Sequence, residues 1–320
     1  MRRKQEKSIL NKVIITSICV VLSIYVLSML FPLAWGLLTS LKDPVDFGML
    51  GQNVLGLPNL DESVLWNSRE AFFKLANYKV VFEKFDLVLD FSHKTFYSAG
   101  REVYHEAQGG VFGIFLNTIL YTTIGSVVTT VCTALTAYVT AKFDFKFSNF
   151  LYTVLLVVMI IPIVGAQSST INVLQSLGLY DTWIGYAIQH CTCTGMYYFV
   201  FYGFYKSLPD SYAEAAEIDG ASNWNIFTSI IIPLSIKQLG TVWLVQFVAL
   251  WNDYQVPLMY LPTKPTLAYT VWYLTIGSSR LGDAPIKVAA AMTLALPILI
   301  MFIFLKNRLM GNVSMGGLKE

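Results

Sequence analysis

The sequence predicts an all-α integral membrane protein with six transmembrane helices. Hydrophobic residues make up 55% of the 320-residue chain and charged residues only 13%, whereas charged residues are about 25% of an average soluble domain. Four long stretches contain no Asp, Glu, Lys or Arg, and they cover residues 13–41, 107–141, 147–180 and 182–205. Each stretch exceeds the roughly 20 residues that a helix needs to cross a bilayer.

Six windows are the best candidates for the spans. They cover residues 13–41, 111–140, 149–167, 183–205, 238–262 and 288–305. Five basic residues precede the first window, as in a signal peptide. A signal peptide, however, has a shorter apolar run that ends in a small-residue cleavage site, and this window has neither feature. We therefore expect a retained first span.

The basic residues predict the orientation of the chain. An even number of spans places both termini on one side, and the short loops of the other side hold only Lys264, Arg280 and Lys287. Long translocated segments do not count in this comparison, because they cross the membrane largely regardless of charge. Both termini are therefore predicted to be cytoplasmic.

The spans divide the chain into five predicted regions. These are a cytoplasmic tail at 1–12, the first transmembrane helix at 13–41, an extracytoplasmic segment at 42–110, a core of five spans at 111–306 with a cytoplasmic loop at 207–236, and a cytoplasmic tail at 307–320. Residues 39–110 hold 17 of the 42 charged residues, which indicates a small folded segment outside the membrane. This segment either shields helix ends or docks a soluble partner.

Several classes of function are disfavoured. The net charge of +2 is too small to indicate nucleic-acid binding, and the sequence has no G-x-x-x-x-G-K-[ST] nucleotide loop and no zinc-ligand spacing. His190-Cys191-Thr192-Cys193 is similar to a metal cluster, but no fourth ligand lies nearby and the run falls in the fourth predicted span. We expect a packed helix there, no metal site and no catalytic residue.

The most informative loop is the one between predicted spans four and five. Ser211 and Glu214 form an S-x-x-E capping box, which predicts the start of a short helix. Gly220 predicts its end, and Ser222 or Asn223 can begin a second helix that carries Trp224. Such a helix–turn–helix segment can enter a groove on another protein. An ordinary amphipathic helix at the membrane surface is the alternative interpretation.

The same loop resembles the signature of a known family. Glu214-Ala215-Ala216, then Gly220, then Ile230-x-Ile232-Pro233 is similar to the EAA motif, E-A-A-x3-G-x9-I-x-L-P, of the membrane subunits of binding-protein-dependent ABC importers. Ile232 in place of Leu is the one departure. By this resemblance the loop is the coupling helix, which sits in a cleft of a cytoplasmic ATPase subunit. The residues that it implies for this contact are Glu214, Ala215, Ala216, Glu217, Ile218, Asp219, Gly220, Ala221, Trp224 and Pro233.

Further matches resemble the carbohydrate branch of this family, the smaller maltose-type permeases. Residues 177–182 are similar to its L-G-L-x-[DN]-T element, Trp251-Asn252-Asp253 to its W-N-[DE] element, and residues 316–319 to its C-terminal G-G-x-K-G tail, with Glu320 in place of the last glycine. The resemblance implies the type I ABC importer (MetI-like) fold with an enlarged extracytoplasmic segment after the first span. It also implies a permease subunit for a sugar or oligosaccharide.

The resemblance implies partners as well. They are a second homologous permease subunit, two cytoplasmic ATPase subunits that use ATP and Mg, an extracytoplasmic sugar-binding protein, and the lipid of the bacterial cell membrane. No cofactor is expected on this chain and no nucleic acid. The alternatives are the same mechanism with another cargo, such as glycerol phosphate, or a secondary transporter. A secondary transporter usually shows repeated halves or several intramembrane charges, which are not seen in this sequence.

Asp253 is the only charged residue deep in a predicted span. A carboxylate inside the membrane is costly, so it is expected to face a cavity or a partner group. Asp253 and Asn252 can line the substrate path and accept hydrogen bonds from sugar hydroxyls. Alternatively, Asp253 ties span five to a neighbouring helix.

Overall fold

The fold is described by a computed structural model. It covers residues 2–42, 44, 47, 75–91, 95–98, 101–104, 110–143, 147–161, 165–277 and 282–309. Most of the predicted extracytoplasmic segment 42–110 therefore lies outside the described residues, and so does the C-terminal motif at 316–319.

The described chain is helical apart from one hairpin. The helices are α1 (Arg2–Ser40), α2 (Ala76–Phe91), α3 (Gly110–Lys142), α4 (Ser148–Ile160), α5 (Ala166–Ser176), α6 (Trp183–His190), α7 (Met196–Ser207), α8 (Ser211–Ile218), α9 (Asn223–Ile226), α10 (Ile232–Trp251), α11 (Gln255–Tyr260), α12 (Leu267–Trp272) and α13 (Ala284–Leu309). Strands β1 (Thr95–Ser98) and β2 (Arg101–Tyr104) pair antiparallel, with Thr95 opposite Tyr104. This hairpin, in the segment after the first span, was not predicted.

Four helical segments of the described chain are long and apolar enough to cross a membrane. They are Asn11–Ser40, Gly110–Lys142, Asn223–Trp251 and Ala284–Leu305, which correspond to predicted spans one, two, five and six. Predicted span three corresponds to the shorter helix α4, and predicted span four is interrupted between α6 and α7. The all-α membrane class is confirmed, whereas the count of six rests on these two shorter regions.

Predicted span five is displaced along the chain. The prediction placed the span at 238–262, but the helical segment runs from Asn223 to Trp251 and breaks before Gln255. A π-helical turn at Phe227–Ile231 joins α9 to α10 just before Pro233. Proline has no amide hydrogen, and the wider turn accommodates the lost hydrogen bond, so the helix continues through it. The second half of the predicted loop 207–236 is therefore already part of this helical segment.

The described chain divides into two compact units. The first contains α1, most of α2 and the start of α13. In it, the amide of Asn77 donates to the carbonyl oxygens of Ser40 and Lys42, at 2.8 Å each, and the hydroxyls of Ser40 and Tyr78 lie 2.8 Å apart. These contacts hold the start of α2 against the end of α1.

The second unit is built around α3. Most residues on the buried face of α3 are small or carry a hydroxyl group; among them are Gly125, Ser126, Thr129, Thr130, Thr133, Ala134, Ala137 and Ala141. Several hydroxyls donate within the helix, for example from Thr133 to the carbonyl of Thr129 at 2.7 Å. Small side chains let helix backbones approach closely in a membrane, and α3 packs against both α7 and α10.

Candidate functional site

The turn that contains Gly220 has the predicted geometry. Gly220 has a φ of +82°. Its amide donates to the carbonyl of Glu217 at 3.0 Å, and the amide of Ala221 donates to the carbonyl of Ala216 at 2.9 Å. These two bonds form a Schellman motif, which ends α8. Ser222 then accepts from the amide of Asn225 at 3.3 Å and caps α9, so both predictions are confirmed. We call residues 211–227 the elbow.

The predicted capping box is wrong, although α8 begins at Ser211 as expected. Asp210 occupies the N-cap position, and it makes no side-chain capping bond. The carboxylate of Asp210 instead contacts the ammonium of Lys142, at the end of α3, at 2.6 Å. The Asp210 side chain therefore binds Lys142 through a charge-assisted hydrogen bond and does not cap the helix.

The elbow presents an exposed surface of mixed character. No residue of α8 is buried. The side chains of Ile218 and Trp224 are 87% and 68% exposed, and the acidic residues Glu214, Glu217 and Asp219 are exposed beside them. The two alanines of the predicted motif differ in exposure: Ala215 is exposed, whereas Ala216 packs partly against the core. Exposed apolar groups beside charges are typical of a surface that binds another protein.

A buried aromatic cluster lies beneath the second half of the elbow. Ile226, Phe227 and Ile231 are buried in it. The ring of Tyr138 from α3 lies 4.8 Å from the ring of Phe227 and 5.5 Å from that of Tyr205 in α7. The end of the elbow is therefore packed onto α3 and α7, two helices that precede it in the chain.

Lys142 was not among the predicted site residues, but the structure makes it part of the site. Its ammonium donates to the carbonyl of Leu208 and to the carboxylate of Asp210, both at 2.6 Å. The hydrogen bond from Lys142 lowers the pKa of Asp210 below its ordinary 3.8. The contribution of this pair is therefore present at neutral pH and is lost only as the pH falls through that lowered pKa.

A cavity of about 180 Å³ lies between α8 of the elbow and the end of α3. It is lined by Tyr138, Lys142, Asp210, Glu214, Glu217 and Ile231, among others. The acidic side of α8 therefore faces free volume as well as solvent.

Asp253 lies after the end of α10, not in the middle of a span as predicted. One carboxylate oxygen accepts the hydroxyl of Tyr121 in α3 at 2.6 Å. The other accepts the amides of Gln255 and Val256, at 2.9 and 3.2 Å, where α11 begins. Asn252 beside it is exposed, and its amide donates to Val248. The sequence contains no local signal for the contact with Tyr121, because that residue lies on another helix.

The prediction that His190-Cys191-Thr192-Cys193 forms a packed helix is wrong. α6 ends at His190, the next helix begins only at Met196, and Cys191 and Cys193 are exposed. Hydropathy does not detect this break, because the residues around it remain apolar. Within the described ranges, no group of three or more metal-binding side chains occurs.

The motif at 177–182 forms a contact between two loops. Asp181 has a φ of +58°, and its buried carboxylate accepts from Thr263 and from Lys264, the latter at 3.1 Å. The hydroxyl of Tyr180 donates to Met259 at 2.9 Å. Burial, together with the charge of Asp181, raises the pKa of Tyr180 to about 12, so this hydroxyl remains a donor at neutral pH. Asp181 lies in the predicted motif, but its partners Thr263 and Lys264 are 82 and 83 residues away and were not predicted.

Comparison with known proteins identifies the family. Residues 130–308 match the model of the binding-protein-dependent transport system inner membrane component. The chain belongs to this family. It is therefore a membrane permease subunit of a transport system, and the predicted family is confirmed. The apolar helices agree with a multi-pass protein of the inner membrane.

Several permease proteins are similar in sequence. This permease is 27% identical over 205 residues to the diacetylchitobiose uptake system permease protein NgcG of Streptomyces coelicolor, a match that covers 63% of this chain and 68% of the relative. It is 26% identical to the trehalose transport system permease protein SugB of Mycobacterium tuberculosis, with 66% and 79% covered. It is 27% identical to the melibiose/raffinose/stachyose import permease protein MelC of Bacillus subtilis, with 64% and 75% covered.

A solved structure supports the fold. A chain from the crystal structure of a bacterial ABC transporter involved in the import of the acidic polysaccharide alginate superposes with a TM-score of 0.65. The match covers 90% of this chain and 94% of that chain, at 19% identity. The permease therefore has the fold of an ABC importer membrane subunit.

Proposed function

We propose that this permease carries a sugar or oligosaccharide into the cell as half of the translocation path of an ATP-driven importer. In this proposal, it pairs with a second homologous permease and receives the sugar from an extracytoplasmic binding protein. Two ATPase subunits hydrolyse ATP on the cytoplasmic side, where both termini of this chain lie. The sugars named for the relatives support this cargo class.

The observation that carries the proposal is the exposed elbow with its hydrogen-bonded turn. Its turn is held by two backbone hydrogen bonds, and its second half is packed onto α3 and α7, while its outer face offers apolar and acidic groups. A segment of this kind transmits force if its outer face sits in a groove of an ATPase. ATP binding then biases a two-state arrangement of the membrane helices through the elbow.

The first prediction concerns contact with the ATPase. Changing Ile218→Asp is expected to reduce copurification of the ATPase subunit with the tagged permease about tenfold, because a charge replaces an exposed apolar contact at the centre of the interface. The fold should persist, since this side chain is 87% exposed.

Leu177→Asp is the matched control. Leu177 is 64% exposed and lies on the predicted outer side, so its substitution should leave copurification unchanged. Undiminished ATPase recovery with Ile218→Asp would contradict the docking of this face. An unmodified permease that never recovers an ATPase would contradict the proposed function itself.

The second prediction separates the two roles of Asp253. We propose the structural tie, supported by its contact with Tyr121. Asp253→Asn and Tyr121→Phe weaken the same hydrogen bond from opposite sides. Both are expected to lower the yield of assembled complex to a similar degree, since hydrogen bonds to charged groups contribute about 1.5–3 kcal/mol.

Assembly is measured by size-exclusion chromatography of the purified complex, together with sugar-stimulated ATP hydrolysis. Normal assembly of Asp253→Asn with lost stimulation would refute the tie and assign Asp253 and Asn252 to the substrate path. Uptake assays with trehalose, raffinose, diacetylchitobiose and glycerol phosphate identify the cargo. Uptake that continues without ATP would indicate a secondary transporter.

A further inference from the structure

A lysine clamp joins α3 to the chain that enters the elbow. Lys142 is the last residue of α3, and its two partners, Leu208 and Asp210, lie 66 and 68 residues further along the chain. The side chain of Lys142 is 13% exposed and that of Asp210 is 75% exposed. A charge at the end of a largely buried side chain is costly without partners, so these two contacts stabilise the position of the ammonium.

The clamp acts where the elbow is otherwise weakly held. The second half of the elbow is anchored by the buried side chains of Ile226 and Phe227. The first half, α8, has no buried residue, and only its inward alanines pack partly against the core. Without the clamp, α8 would be held only by its chain connections to α7 and α9 and by these partly packed alanines.

Helix α3 leads from the clamp into the membrane. It packs against α7, which precedes the elbow, and against α10, which follows it. The same helix carries Tyr121, which donates to Asp253 beyond the end of α10. A continuous helix of 33 residues therefore connects the clamp to a polar contact far along the bundle.

We propose that Lys142 is a positioning residue that fixes the entry of the elbow to span two, so that movement of the elbow reaches the path-forming helices. This inference rests on the proposed function and adds a second mechanical link to it. The packed aromatic cluster transmits motion at the end of the elbow, and the Lys142 clamp transmits it at the beginning.

The test uses the assembled complex of both permeases, the ATPases and the binding protein. The probe is the sugar among trehalose, raffinose and diacetylchitobiose that most stimulates ATP hydrolysis by the unmodified complex. Lys142→Met should lower the ratio of stimulated to basal hydrolysis about tenfold, as expected for the loss of a coupling contact. Asp210→Asn should act in the same direction, and Lys142→Arg should retain most of the ratio, because it keeps the charge.

Hydrogen exchange of residues 208–218 supplies a second readout that needs no sugar. Exchange in this segment should be faster in the Lys142→Met complex. Lys237→Met, at an exposed lysine of α10, is the control and should change neither readout. Exchanging the charges, with Lys142→Asp and Asp210→Lys together, should restore part of both.

Two results would overturn the clamp. One is a Lys142→Met complex that keeps both the stimulation ratio and the exchange of the unmodified complex. The other is a Lys142→Arg variant as defective as Lys142→Met, which would show that the charge is not what matters. If no sugar stimulates the unmodified complex, the proposed cargo class fails, while the exchange measurement still decides the clamp.

Discussion

Replacing Gly220 with valine is expected to lower sugar uptake about tenfold or more, while the permease still reaches the membrane. The cause is the backbone rather than crowding: Gly220 has a φ of +82°, and an added Cβ would meet nothing within 4 Å. A branched residue in this conformation costs about 1–3 kcal/mol, so the turn would rearrange and displace α8. Uptake into whole cells, normalised to permease in the membrane, measures the effect.

Gly220→Asn is the matched control, because asparagine tolerates the left-handed conformation better than other side chains. It should keep at least half of the uptake. Normal uptake by the valine variant, with the complex correctly assembled, would show that this turn does not carry the coupling.

Replacing Gly125 with valine is expected to prevent stable folding of the second unit. An added Cβ would lie 2.2 Å from the hydroxyl oxygen of Tyr186 and 2.7 Å from a methyl group of Leu250. Overpacking of this kind costs about 1–3 kcal/mol. It would also disturb a hydrogen-bonded chain, since the Tyr186 hydroxyl donates to the carbonyl of Tyr121 at 3.0 Å. The yield of monodisperse permease in detergent and its thermal unfolding midpoint measure the loss.

The same substitution at Gly203 supplies the control, because an added Cβ there has no neighbour within 4 Å. Tyr186→Phe removes the closest clashing atom and should partly rescue Gly125→Ala, a non-additive result expected of residues in contact. If Gly125→Val unfolds at the same temperature as the unmodified chain, the close packing of α3 at this glycine is disproved.

Local chemistry explains which parts of the site could be predicted. Gly220 and Ser222 act on backbone groups within a few residues of themselves, so their roles can be predicted from the neighbouring sequence. The placement of the spans also follows from local composition, since an apolar run must be long enough to cross the bilayer. The breaks at 191–195 and 252–254 could not be predicted in this way, because each is only a few residues long and lies inside a predominantly apolar window of span length.

The sequence by itself determined the membrane class, the family and the turn of the elbow, because these depend on composition and on short, regular spacing. Only the tertiary structure decided the partners of the charged residues. Asp210 could have capped its own helix, yet it binds Lys142, 68 residues away. Asp253 accepts from Tyr121 and Asp181 accepts from Lys264, again across long separations. These three carboxylates take partners that the packing of distant helices and loops brings within reach, which is why the local sequence could not predict them.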